Sequence, residues 1–123
     1  VSFNGRYILN ERGDPEPCED LLEWAAWFET SMSARTVARD QVGPWFVSTV
    51  FLGLDFSWRP MEDPLTYQPV LWESAVFEAE EMSAMLRYTS REAAIEGHQE
   101  FVRACQEAEE EWRTYAEHRT DAK

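Results

Sequence analysis

The spacing of apolar residues changes along the chain, and each change marks an element. From Arg6 to Glu11 (RYILNE) Tyr7 and Leu9 fall on one side, a period of two that predicts a first strand. Gly13 to Pro17 (GDPEP) breaks it, because two prolines in three residues exclude both a helix and a central strand. The period then lengthens. Leu21, Trp24, Ala25, Phe28 and Met32 recur at spacings of three and four, with Trp27 widening the stripe. This predicts a helix opened by Asp20 and ended by residues 33–35, with Asp20 and Glu23 in capping-box spacing.

Period two returns at Thr36–Val42 (TVARDQV), the second strand. Gly43-Pro44 turns the chain. Trp45 to Leu54 is a third strand, rich in β-branched and aromatic residues. Its two faces differ little in polarity, which suits a central position. Residues 57–69 hold Pro60, Pro64 and Pro69 and read as a loop. Val70–Phe77 is a fourth strand, 78–82 an acidic turn, and Ala84–Tyr88 a fifth strand. Thr89 as N-cap and Glu92 then fit a capping box, and a helix runs to Tyr115 or beyond. The order is β-α-β-β-β-β-α in a single domain, residues 1–123. Short connections favour antiparallel pairing, so the expected class is α+β: an antiparallel sheet of about five strands with two helices on one face. A helix over residues 89–115 would be ~40 Å long, more than such a domain spans, so it is expected to overhang after about residue 106.

Charge narrows the choice of partner. The 123 residues carry 24 acids against 11 bases, a net charge of −13, spread over both halves of the chain. Direct binding to nucleic acid or to an anionic membrane is disfavoured. A protein with a basic surface is the complement. Cys18 and Cys105 stand far apart without a CxxC spacing, so no metal site or redox motif is indicated, and two free thiols in a reducing cytoplasm are expected. No apolar run approaches membrane-spanning length, and no basic-then-apolar leader opens the given chain.

Four phrases carry a resemblance: YILNERGDPEPCEDLLEWAAWFE, VSTVFLGLDF, PVLWESAVF and RYTSREAAIEGH. Together, over roughly residues 6–103, the chain resembles a family of small uncharacterised proteins of phages and prophages. The resemblance implies a setting, the cytoplasm of a bacterial host, and no mechanism. The family often has a His after its GLD; here Phe56 stands there, which weakens any acid–His reading.

The candidate residues fall into two groups. Asp55 ends the third strand beside Phe56 and Trp58, where an acid either caps the outgoing backbone or serves a binding surface. Glu73 is its best acidic partner if strands three and four pair. Two carboxylates can do general acid–base work or hold a divalent cation, but no nucleophile motif, phosphate loop or ligand cluster accompanies them. No catalytic residue, cofactor or metal is therefore expected. Trp58, in the proline-rich loop, is a candidate interface anchor. In the last helix Ala94, His98, Phe101, Cys105, Ala108, Trp112 and Tyr115 form a stripe spaced 4-3-4-3-4-3. His98 reads as a hydrogen-bonded core histidine, and it lies two turns from Cys105, too far to pair with it. Trp112 and Tyr115 would project with the overhang, with Glu107, Glu109, Glu110 and Glu111 mainly on the other side. The expected function is that of an acidic accessory protein that binds a host or phage protein, one version being a nucleic-acid mimic that inhibits a defence or nucleic-acid-processing system. The alternatives are a small ligand-binding or enzymatic domain built on Asp55 and Glu73, and a self-associating structural protein joined through the last helix, with a homodimer as its simplest form.

Overall fold

A computed structural model of the chain describes residues 5–57 and 65–121, with side chains through His118. The chain opens with a small hairpin. β1 (Tyr7–Leu9) pairs antiparallel with β2 (Pro15–Pro17). The prolines expected to break the chain form a strand instead. The flanking pairs make the ladder, with Cys18 N donating to Arg6 O at 2.9 Å and Asn10 N to Asp14 O at 2.8 Å. Tyr7 opposite Pro17 and Leu9 opposite Pro15 therefore occupy non-hydrogen-bonded positions, where no proline N–H is needed.

α1 (Leu21–Thr30) starts where the spacing placed it. The Asp20 carboxylate caps it, accepting from the N–H groups of Leu22 and Glu23. A break at Ser31 separates it from a single turn, α2 (Met32–Arg35). Arg35 is buried there. Its guanidinium donates to Phe28 O at 3.1 Å and to Ser31 Oγ at 3.3 Å, and it lies 3.7 Å from the centroid of the Phe28 ring. These contacts tie the turn back onto α1.

The main sheet is an antiparallel meander of β3 (Thr36–Val42), β4 (Trp45–Phe51), β5 (Trp72–Glu78) and β6 (Glu81–Tyr88), neighbours in that order. β4 and β5 are the central pair. The expected single sheet of about five strands is thus two sheets, of four and two strands. β1 stays out of the meander and touches the exit of β4 instead, through an Arg6–Leu54 bridge and a 2.9 Å bond from Tyr7 N to Gly53 O. The expected acidic turn over 78–82 is also shorter. Pairing continues to Glu78 and Glu81, leaving a two-residue loop, Ala79–Glu80, in which both residues have positive φ (49° and 71°).

α3 (Arg91–Asp121) runs back across all four strands. Its N-cap is Ser90, one residue later than expected: Ser90 Oγ accepts from Ala93 N and Ser90 O from Ala94 N. Gly97 is where the helix comes closest to β6, since a Cβ there would overlap the Tyr88 ring. The second expected helix does not share this face as a layer. α1 packs on β1 and reaches the sheet through Trp27, edge-on to Phe51 with ring centroids 6.0 Å apart.

The strand parity decides which face is covered. Val47, Thr49 and Phe51 of β4 lie opposite Val76, Ser74 and Trp72 of β5, and all six are buried. One core cluster gathers Tyr7, Phe51, Leu71, Trp72, Tyr88 and Ala94; the other gathers Val47, Val76 and Cys105, with Phe101 and Val102 packed against it. The alternate register, Phe46, Ser48 and Val50 opposite Phe77, Ala75 and Glu73, contributes to neither cluster. α3 covers one face of the meander, and no described helix covers the other.

Candidate functional site

Asp55 works inside the fold. Oδ1 accepts from Ser57 N at 2.9 Å and from Val70 N at 3.0 Å, and Oδ2 accepts from the Tyr67 hydroxyl. The Ser57 hydroxyl donates in turn to the Tyr67 oxygen at 2.7 Å. One carboxylate thereby ties together both ends of the connection between β4 and β5. Burial alone would raise the Asp55 pKa, but the bonds from Tyr67, Val70 and Ser57 outweigh it and hold the group below the usual carboxylate range. Burial, and then the bond to Asp55, push the Tyr67 hydroxyl up.

The carboxylate pair expected from the sequence does not share a partner. Glu73 faces the uncovered side of the sheet, where Arg87 Nε on β6 meets it at 3.0 Å. The same Arg87 guanidinium lies 4.4 Å from the centroid of Phe56. Trp58 falls outside the described residues.

His98 is buried, as its place in the stripe implied, and its partners come from two strands, with a third joined through one of them. Nε2 lies 2.7 Å from Asp40 Oδ2 on β3, and Nδ1 lies 2.7 Å from Thr49 Oγ1 on β4. Thr49 also hydrogen-bonds Ser74 Oγ on β5. With a neutral ring one arrangement satisfies every group: Nε2–H donates to Asp40, Thr49 O–H donates to Nδ1, and Ser74 O–H donates to Thr49. The order of acid, imidazole and hydroxyl is that of a nucleophilic triad. Here both hydroxyls are wholly buried between sheet and helix, so no substrate reaches them. The line fixes the position of α3 over the sheet. Asp40, Thr49 and Ser74 were missed in the sequence, although a Thr and a Ser at core parity in two apolar strands were a usable signal.

Cys18 and Cys105 are both free and buried. Burial pushes each thiol up, which makes them less reactive than an exposed cysteine. Among the described residues no group of three or more His, Cys, Asp or Glu could hold a metal ion, and no helix is long and apolar enough to cross a membrane. A cleft of about 620 Å³ lies between the β1–β2 turn, the start of β3 and the N-terminus of α3. Arg12, Asp14 and Arg91 line it, but the aromatic side chains at its floor, Phe51 and Trp72, are almost fully buried and offer little surface.

The other concentration of candidate residues is the far end of α3. Glu109 sits against Gly43 in the β3–β4 turn, and from Glu110 to His118 every side chain is exposed. The apolar stripe that buries Ala94, His98 and Cys105 therefore continues past the sheet into solvent. There Trp112 is 67% exposed and Tyr115 52%, stacked with ring centroids 5.5 Å apart. Glu107, Glu110 and Glu111 are exposed on the same stretch of helix, and Arg113 bridges Glu109 and Glu110 at 3.0 and 3.3 Å. The overhang expected after about 106 begins at 110, because Ala108 and Glu109 still touch the fold. No family model matches the chain, and neither does any curated protein or solved structure.

Proposed function

We propose that this chain is a phage-encoded accessory protein that acts by binding another protein in a bacterial host, and that the projecting end of α3 makes the contact. One observation carries the reading: a stacked Trp112–Tyr115 pair stands exposed on a helix that has left its own sheet. Large aromatics on a rigid element lose little conformational entropy on docking and are frequent energetic centres of interfaces. The exposed glutamates of the same helix stretch favour a partner surface that sets basic side chains beside an apolar patch. In its sharpest form the partner is a nucleic-acid-binding surface of a defence or processing enzyme, with glutamates standing where phosphates would lie.

The test is capture from infected-cell lysate with the tagged chain and its Trp112→Ala/Tyr115→Ala variant. A protein held at low salt, released at high salt and lost with the variant supports the reading. Capture that ignores both salt and the variant removes it.

A further inference from the structure

The projecting end of α3 calls for a surface that sets basic side chains beside an apolar patch, and the chain carries one. We propose that the uncovered face of the meander is the docking site for the projecting end of α3 of a second copy of this chain. The inference rests on the reading of that helix end as a contact element and names its occupant.

The uncovered face has the required chemistry. Phe46 and Phe77 lie opposite each other on its two central strands, at the turn end, half-buried. Met82 and Met85 on β6 extend the apolar area and are 52% and 40% exposed. Methionine adapts its shape to a docking ring at little cost. Among the described residues of its strands the ionic side chains are Arg39, Arg87 and Glu73, two bases against one acid in a chain of net charge −13. Arg39 is exposed, lies 5.7 Å from the centroid of Phe46, and has no ion pair among the described residues. Against it, the stretch Glu107–His118 presents five glutamates and one arginine, and that arginine is already bridged to Glu109 and Glu110. Pairing two helix ends directly would set glutamates against glutamates; docking a helix end on the sheet sets them against Arg39.

Geometry permits the exchange. α3 leaves its own sheet at Gly43, on the covered side and at the end where both hairpin turns lie. A two-fold axis in the plane of the sheet, just beyond those turns, brings a second sheet level with the first but inverted. Each helix end then runs along the other copy's uncovered face, entering at the turns, next to Phe46, Phe77 and Met82. From Glu110 to Asp121 the helix extends ~18 Å, against ~23 Å for a seven-residue strand, so it reaches most of the face.

Sedimentation equilibrium on the full chain and two variants tests the arrangement. One variant is Trp112→Ala/Tyr115→Ala; the other is Arg39→Glu/Met85→Glu, at exposed positions on the sheet. Far-UV circular dichroism and melting temperature establish that both remain folded. The wild type is expected to be a dimer, and each variant to dissociate at least about tenfold more readily. Mixing the two variants is expected to restore a heterodimer, because it regains one undamaged contact. A wild type that stays monomeric up to its solubility limit overturns the inference, and so does a dimer indifferent to Arg39→Glu/Met85→Glu. A monomer that still binds a basic protein through Trp112 removes the self-docking and leaves the broader reading standing.

Discussion

Asp55 is subject to two opposing influences, and the balance can be read from a titration. Burial disfavours its charge, three hydrogen bonds favour it, and the bonds win. Its folded pKa lies below the unfolded value near ~3.9. The carboxylate therefore adds stability above that value and loses it as pH falls through the folded pKa. Asp55→Ala is expected to cost ~1–3 kcal/mol at neutral pH. In urea denaturation the gap between wild type and variant should stay constant above about pH 5 and narrow below about pH 4 as the pH falls toward the folded pKa. A gap that does not narrow at all as the pH falls below about 4 would show that the carboxylate's charge is not what holds the β4–β5 connection. The sequence marked Asp55 as the end of a strand, but it could not supply Tyr67, which lies across a proline-rich loop. His98 is similar. Its burial was legible from a stripe along one helix, while Asp40 and Thr49 meet it, and Ser74 meets Thr49, only because three strands adopt one register.

Among the elements, helix starts, the four longer strands and their antiparallel order were legible; β2 and the partner of β1 were not. Alternation says which side chains share a face and is silent on whether a short strand joins the main sheet or forms its own. β1 reads the same either way, and only the pairing of Pro15 and Pro17 at positions needing no N–H shows which. The β5–β6 turn was hidden for a different reason. Glu78–Met82 lacks the Asn-Gly or Gly-Gly signature of a tight hairpin, yet the chain makes one with Ala79 and Glu80 at positive φ. A left-handed conformation costs a residue other than glycine ~1–2 kcal/mol, and asparagine followed by glycine suits a turn of this kind best. Ala79→Asn/Glu80→Gly is accordingly expected to raise the stability by ~1 kcal/mol, with the slope of the denaturant curve unchanged. A loss of stability would mean that the turn conformation differs from this one.

For the whole molecule, net charge and surface chemistry act at different ranges, and salt separates them. Two chains of charge −13 repel at long range, with a screening length of ~30 Å at 0.01 M salt that falls to ~8 Å at 0.15 M. Arg39 against the glutamates of a second helix end would act at contact, partly shielded from solvent, where salt matters less. Added salt should remove more repulsion than attraction, so self-association through the uncovered sheet face is expected to tighten between those two concentrations. Binding to a basic protein should do the opposite, because there the long-range force attracts. Sedimentation at both salt concentrations, beside a salt titration of any captured partner, measures the two signs on one protein. If self-association loosens as salt rises, contact pairs outweigh the net charge and the glutamates of α3 are bound more deeply than their exposure in the single chain indicates. If neither equilibrium responds, the apolar pair Trp112–Tyr115 carries the contact, and the acidity of the chain serves its solubility.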